Sequence, residues 1–260
     1  MMSTALDTLR AERIKLTSVQ SPLWCTVVIV ALGLGLAAIL GSVSRASVGM
    51  DDEMGQFYPT VDVAVSGVTG FGVLVLMILA ALSVTSEYRF GVIRTTFQAT
   101  PNRTLLLTMK ALLIGVLGAL LTVAVSFGAF YLAKVLAGPD AGRDLVLSGD
   151  TAWRAVYGTA IYAFLCVFLA VGVGTLLRQS AGTIALLMLW PLLLESLFAL
   201  FGSVGREIQP FLPFANANNF LGIGQGIEFH WGPWGSLVYF AAFAFLVFAL
   251  SLVVVNRRDA

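Results

Sequence analysis

Charge is what this chain has least of: 11% of its 260 residues are Asp, Glu, Lys or Arg, while 58% are hydrophobic. A soluble domain carries about 25% charged residues, so this composition, with a mean hydropathy of +0.93, excludes that class and indicates a membrane protein. The formal net charge is only +1, which excludes the dense basic face that nucleic-acid binders turn to phosphates. Histidine occurs once, at His230, so neither a zinc site nor a triad built on several histidines can be assembled. Beside Trp231 it reads as an ordinary hydrogen-bonded surface residue. The two cysteines, Cys25 and Cys166, lie inside apolar runs and read as small buried hydrophobes rather than a disulfide or metal pair. No G-x-x-x-x-G-K-[ST] loop is present to cradle a nucleotide, and the polar segments are too short to fold an ATPase domain.

What the chain has instead is long apolar runs. About 20 apolar residues span about 30 Å of hydrocarbon, and six such runs stand at 23–43, 65–85, 105–136, 153–177, 182–201 and 234–255. Each is a helix candidate, because a lone strand in lipid leaves its amides unpaired. The apolar stretch at 23–40 is longer than a usual signal-peptide core and reads as the first span. The third run is long enough to tilt or to extend beyond the bilayer. The fold class is therefore an all-α membrane protein, a single transmembrane domain over 1–260 with six spans.

Orientation follows from the cations. With the N-terminus in the cytoplasm, Arg10, Arg13, Lys15, Arg89, Arg94, Arg103, Lys110, Arg178, Arg257 and Arg258 fall inside, and Arg45, Lys134, Arg143, Arg154 and Arg206 outside. That asymmetry satisfies the positive-inside rule and puts both termini in the cytoplasm. Asp51, Asp52, Glu53, Asp62, Asp140, Asp144 and Asp150 all fall in outer loops.

Within residues 1–21, Met2, Ala5, Leu6, Leu9 and Leu16 share an arc of about 100° on a helix, with Arg13 intruding and Ile14 outside it. The pattern predicts a surface helix on the inner leaflet. Residues 202–233 are too apolar for a free loop, yet Pro210, Pro213, Gly222, Gly224, Gly226 and Pro233 interrupt any single span. Short interfacial or re-entrant pieces on the outer side are expected there, with Trp231 and Trp234 at headgroup level.

Between spans two and three lies "TSEYRFGVIRTTFQATPNR", residues 85–103. Phe90, Ile93 and Phe97 recur at helical spacing, and Thr100-Pro101 ends the pattern, since a residue before proline avoids the helical region. A short surface helix over 87–99 follows. Thr100 is placed to cap the next helix, with Pro101 at its first position.

The run Glu87-Tyr88-Arg89-x-Gly91-x-x-Arg94-Thr95-Thr96, then Pro101-x-Arg103 and Lys110, resembles the first cytoplasmic loop of the permease subunits of ABC-2 type exporters, especially actinobacterial antibiotic-transport permeases. The order of surface helix, six spans, interrupted outer segment and short basic tail at Asn256-Arg257-Arg258 is similar to that family across essentially the whole chain. The resemblance implies a coupling helix that docks on a separate ATPase subunit through Glu87, Tyr88, Arg89, Phe90, Gly91, Arg94, Thr95 and Phe97. It also implies ATP and magnesium bound by that partner dimer, a second permease chain, identical or homologous, no cofactor in this chain, and a place in the cytoplasmic membrane. The function expected is export of an amphiphilic drug, lipid or peptide by a subunit without catalytic activity of its own. Simple anchoring of the arginines on lipid phosphates is the plainer reading of the loop, but it leaves Glu87 and Gly91 unexplained.

Glu195 lies near the outer end of span five, where a carboxylate is costly and marks a candidate site. Pairing with Arg206 or a helix dipole, binding of a cationic substrate group, protonation and snorkelling are all open to it. Pro191 would kink the helix one turn earlier. Gly115, Gly118, Gly172 and Gly174 lie within spans and read as close-packing positions. Two other functions compete with export. A lipid-modifying membrane enzyme would need clustered carboxylates or a metal site, whereas the cytoplasmic acids Asp7, Glu12, Glu87 and Asp259 are scattered along the chain. A non-transporting scaffold or regulatory subunit would use the same loop.

Overall fold

The computed structural model describes residues 5–48, 57–143, 145–223 and 227–257. Met2, Asp51, Asp52, Glu53, Asp144, Gly224, Gly226, Arg258 and Asp259, named above, lie outside the described residues. The described chain is helical without strands. A first helix, α1 (Ala5–Ser18), precedes six elements long and apolar enough to cross a membrane. Four of the six are α2 (Ser21–Ser47), α3 (Val61–Arg89), α5 (Arg103–Ala141) and α6 (Gly149–Leu177). Between α3 and α5 sits a short helix, α4 (Val92–Ala99). Spans five and six are α7 (Ser180–Phe198) and α10 (Pro233–Arg257), separated by α8 (Gly202–Ile208) and α9 (Pro213–Leu221). Five of the expected apolar runs fall within one spanning helix each, and the fifth in order, 182–201, passes the end of α7 at Phe198 into a short 3-10 turn, Ala199–Phe201.

The spans are not equivalent. In their most apolar windows α3 and α6 are 61% and 72% buried, against 17% for α2 and for α7 and 28% for α10. Helices α3 and α6 are therefore the inner pillars, while α2, α7 and α10 turn most of their surface outward. Two apolar clusters fill the spaces between pillars. The larger runs from Ile93 and Phe97 of α4 through Val84, Met77 and Phe168 to Phe220 and Phe240. The smaller joins Ala37, Val65, Val125, Phe130 and Val156.

Small residues set the spacing. A Cβ on Gly67 would lie 2.6 Å from the Leu32 carbonyl oxygen, and one on Gly118 would lie 2.5 Å from Leu76. One on Gly172 would come within 3.0 Å of the Phe248 backbone. Of the glycines singled out in the sequence, Gly172 and Gly174 meet the backbone of a neighbouring helix and Gly115 and Gly118 the side chains of Phe164 and Leu76, so all four serve close packing within the chain. Two spans carry a wider π-turn: α3 at Gly67–Gly72 and α7 at Trp190–Leu194. The second contains Pro191, whose missing N–H accounts for the local widening.

Candidate functional site

The loop between α3 and α5 is a corner built in three turns. Glu87, Tyr88 and Arg89 belong to the last turn of α3, not to a separate helix starting at residue 87. Gly91 then takes a left-handed conformation, φ 71°, which costs a side-chain-bearing residue about 1 kcal/mol or more, and α4 begins at Val92. Its buried side is Ile93 and Phe97; Arg94, Thr95 and Gln98 face away from them and are exposed.

The cap of the following helix differs from expectation. Thr100 closes α4, its N–H donating to the Thr96 carbonyl. Asn102 caps α5 instead, its Oδ1 accepting from the Leu105 N–H at 2.9 Å, as a side-chain cap three residues ahead requires. Pro101 precedes the cap rather than opening the helix.

Around this corner the structure gathers charges that are far apart in sequence. Lys110, 3% exposed, points from α5 at Glu12 of α1 and donates to Glu87 Oε1 at 2.9 Å. Lys15 donates to Glu12 Oε1 at 2.8 Å and to the same Glu87 oxygen at 3.0 Å. Two lysines and two carboxylates thus form a closed, net-neutral cluster joining α1, α3 and α5. Burial pushes the Glu12 carboxyl up, but the Lys110 and Lys15 ammonium groups outweigh it and hold the group below the ordinary carboxylate value. Burial likewise pulls Lys15 down, and Glu12 and Glu87 overcome it and raise the ammonium above its ordinary value.

This cluster revises two expectations. Glu12 and Glu87 are not scattered; Lys110 and Lys15 bring them together. The first helix is also packed on the protein by more than its apolar arc. It buries Thr8 and Glu12 against the protein and leaves Leu6 and Ile14 exposed. The clue available in sequence was Lys110, a lysine inside an apolar run that needs a buried counter-ion.

Further contacts tie the corner to the remaining spans. Arg103 lies over the Phe97 ring at 4.9 Å and donates from Nη1 to the Val255 carbonyl at 2.7 Å. Asn256 donates to Thr104 at 2.9 Å. Arg178, from the turn after α6, lies over the Tyr88 ring at 5.0 Å. Of the eight residues the resemblance assigned to a partner, Glu87 and Phe97 are therefore buried within the chain and Tyr88 is half-buried. Arg89, Phe90, Gly91, Arg94 and Thr95 remain exposed.

At the opposite end, Glu195 is engaged by the chain itself. Its Oε1 accepts from the Phe214 N–H at 2.9 Å and from Trp190 Nε1 at 3.1 Å, and its Oε2 from the Ala215 N–H at 2.6 Å. It caps α9, whose first amides have no partner within the helix. Buried Asn216 continues the stitching, donating to the Pro210 and Leu212 carbonyls and accepting from Trp231 Nε1. Tyr239 donates to the Phe211 carbonyl at 2.7 Å. His230 is exposed, 5.6 Å from the Phe211 ring centre. Among the described residues no cluster of His, Cys, Asp and Glu could hold a metal ion. Comparison with protein-family models, with curated proteins and with solved structures gives no match.

Proposed function

We propose that this chain is the membrane-spanning permease subunit of an ATP-driven exporter of the ABC-2 type, with ATP hydrolysed by a separate subunit that docks on α4. Two permease chains and two ATPase chains make the working complex, both termini lie in the cytoplasm, and the cargo is amphiphilic. The observation that carries the reading is the form of the corner. A short helix exposes Arg94, Thr95 and Gln98 and buries Ile93 and Phe97 in the main core. The same corner is fixed to α1, α5 and α10 by Lys110, Lys15 and Arg103. A partner pushing on the exposed side displaces several helices together, since a packed and charge-linked unit moves as a body. A helix that only floated on lipid would need no such attachment.

Reversing one charge on the exposed side tests this. Arg94→Glu puts an unpaired charge into the contact, at a cost of about 2–5 kcal/mol of association. Co-purification of the co-expressed ATPase and its transport-stimulated ATP hydrolysis both fall, while insertion and extraction stay normal. Arg143→Glu, at the far end of α5, changes neither. An Arg94→Glu chain that keeps its ATPase and transports normally overturns the proposal.

A further inference from the structure

Beside the corner, between α1 and the ends of α2 and α3, opens a cleft of about 530 Å³. Its wall on α3 is one helical stripe, Leu79, Leu82, Ser83, Ser86 and Arg89, because residues three and four apart share a face. Over about 15 Å of helix rise the stripe passes from aliphatic to hydroxyl to guanidinium. The facing wall repeats the order, with Pro22 and Val19 below and Lys15 above.

The charges on the lining are Lys15, Arg89 and Lys110 against Glu12 and Glu87, which leaves a cationic excess at the rim. Lys110 is consumed by the two carboxylates. Lys15 spends two of its three N–H donors on them. Arg89 lies 5.6 Å from the Phe90 ring centre and pairs with no carboxylate among the described residues. Both cations lie near the helix ends that bound spans one and two, at Ser21 and Arg89, and basic side chains next to a span attract anionic lipid headgroups.

We infer that this cleft is a binding site for one anionic phospholipid of the adjoining leaflet. The phosphate is held by the Arg89 guanidinium and the third Lys15 N–H, the glycerol–ester region passes Ser86 and Ser83, and one acyl chain lies along Leu82, Leu79 and Pro22, leaving the head beyond the phosphate at the open rim. The lipid then fills the space between the first helix and the corner, so that α1, α3 and lipid form one layer. Charge complementarity selects the occupant: a zwitterionic headgroup adds a cation where Lys15 and Arg89 already stand. The site does not depend on whether α4 carries a partner.

The test is lipid retention by the full chain in nanodiscs made from mixed phosphatidylglycerol and phosphatidylcholine, read by native mass spectrometry. Phosphatidylglycerol is expected to remain bound in preference to phosphatidylcholine. Arg89→Gln lowers that retention about fivefold, the worth of one basic contact near a membrane surface. Ser83→Trp, which fills the cleft, removes it. Arg10→Gln, exposed on α1 and outside the cleft, leaves it unchanged. Equal retention of both lipids, an Arg89→Gln chain indistinguishable from the parent, or equal loss with Arg10→Gln each overturns the inference. Binding of inorganic phosphate by delipidated protein, without preference for phosphatidylglycerol, would mark a free-phosphate site and overturn it as well.

Discussion

The two ends of the molecule bury carboxylates by opposite means. At the corner, Glu12 and Glu87 are neutralised by Lys110 and Lys15, side chains delivered by helices far apart in sequence. At the far end, Glu195 is satisfied by two backbone amides at the start of α9 and one indole N–H, with no cation in contact among the described residues. The difference is one of reach. A cap made of amides holds a segment in place locally, from residue 190 to 215, whereas an ion cluster holds whole helices to one another and so carries displacement among them. Among the described residues, the corner links three helices through buried charges, which is the connectivity that the proposed coupling needs.

Removing Lys110 is expected to do the most damage. Lys110→Met leaves Glu12 buried beside Lys15 alone and Glu87 with half its partners, and breaking a buried charge pair from one side costs about 3–5 kcal/mol. Thermal unfolding in detergent should show the loss. The triple change Lys110→Met, Glu12→Leu, Glu87→Gln should recover most of it, because the cost lies in stranded charge rather than in missing attraction. If the single variant is as stable as the parent, the cluster is not what ties α1 to the bundle.

Next in size is the cap. Glu195→Ala strands the Phe214 and Ala215 amides and the Trp190 indole, a loss of about 3 kcal/mol, while Glu195→Gln keeps an acceptor and loses about 1 kcal/mol. Because its contacts lie within the chain, Glu195→Gln should leave transport per folded molecule unchanged. A transport defect without a stability defect would instead give this carboxylate a direct role with cargo.

How much of this was legible in advance follows from the distance between partners. The spans were readable because length and hydropathy are local properties, and residues 65–85 or 153–177 fall inside α3 and α6. The short helix is readable from Ile93 and Phe97, although the pattern alone starts it five residues early, because nothing in the string separates the last turn of α3 from α4 except Gly91. The cluster was not readable, since Glu12 and Lys110 meet across a separation of 98 residues and no periodicity connects them. For α1 the apolar arc pointed to lipid, but the buried ion pair determined which side faces the protein.

The contrast between the ends also predicts a pH response. Glu12 titrates below its ordinary 4.5 in the folded chain, so its contribution to holding α1 is complete above that value and is lost as pH falls through the lower, folded-state value. Lys15 titrates above its ordinary 10.5, so its contribution is complete below that value and is lost as pH rises through the higher one. Between these limits the attachment of α1 should be flat with pH. Hydrogen exchange of residues 5–18, corrected for intrinsic rates, should give the same opening constant at about pH 6 and about pH 9 and a larger one below about pH 4. A change near neutrality would mean that the lysines do not hold the Glu12 carboxylate charged.

The smallest effect, and the sharpest on geometry, belongs to Gly91. A Cβ there would meet nothing within 4 Å, so any cost of substitution comes from the left-handed φ of 71° and not from a clash. Gly91→Ala should then lose about 1 kcal/mol, and Gly91→Asn less, because asparagine enters this conformation more readily than other residues with a side chain. Since the turn fixes the angle at which α4 leaves α3, the alanine chain should also present Arg94 differently and weaken ATPase co-purification more than its stability loss explains, while the asparagine chain behaves as the parent. If alanine and asparagine are equally harmless to both, the corner does not depend on this turn, and the orientation of α4 is set by the burial of Ile93 and Phe97 alone.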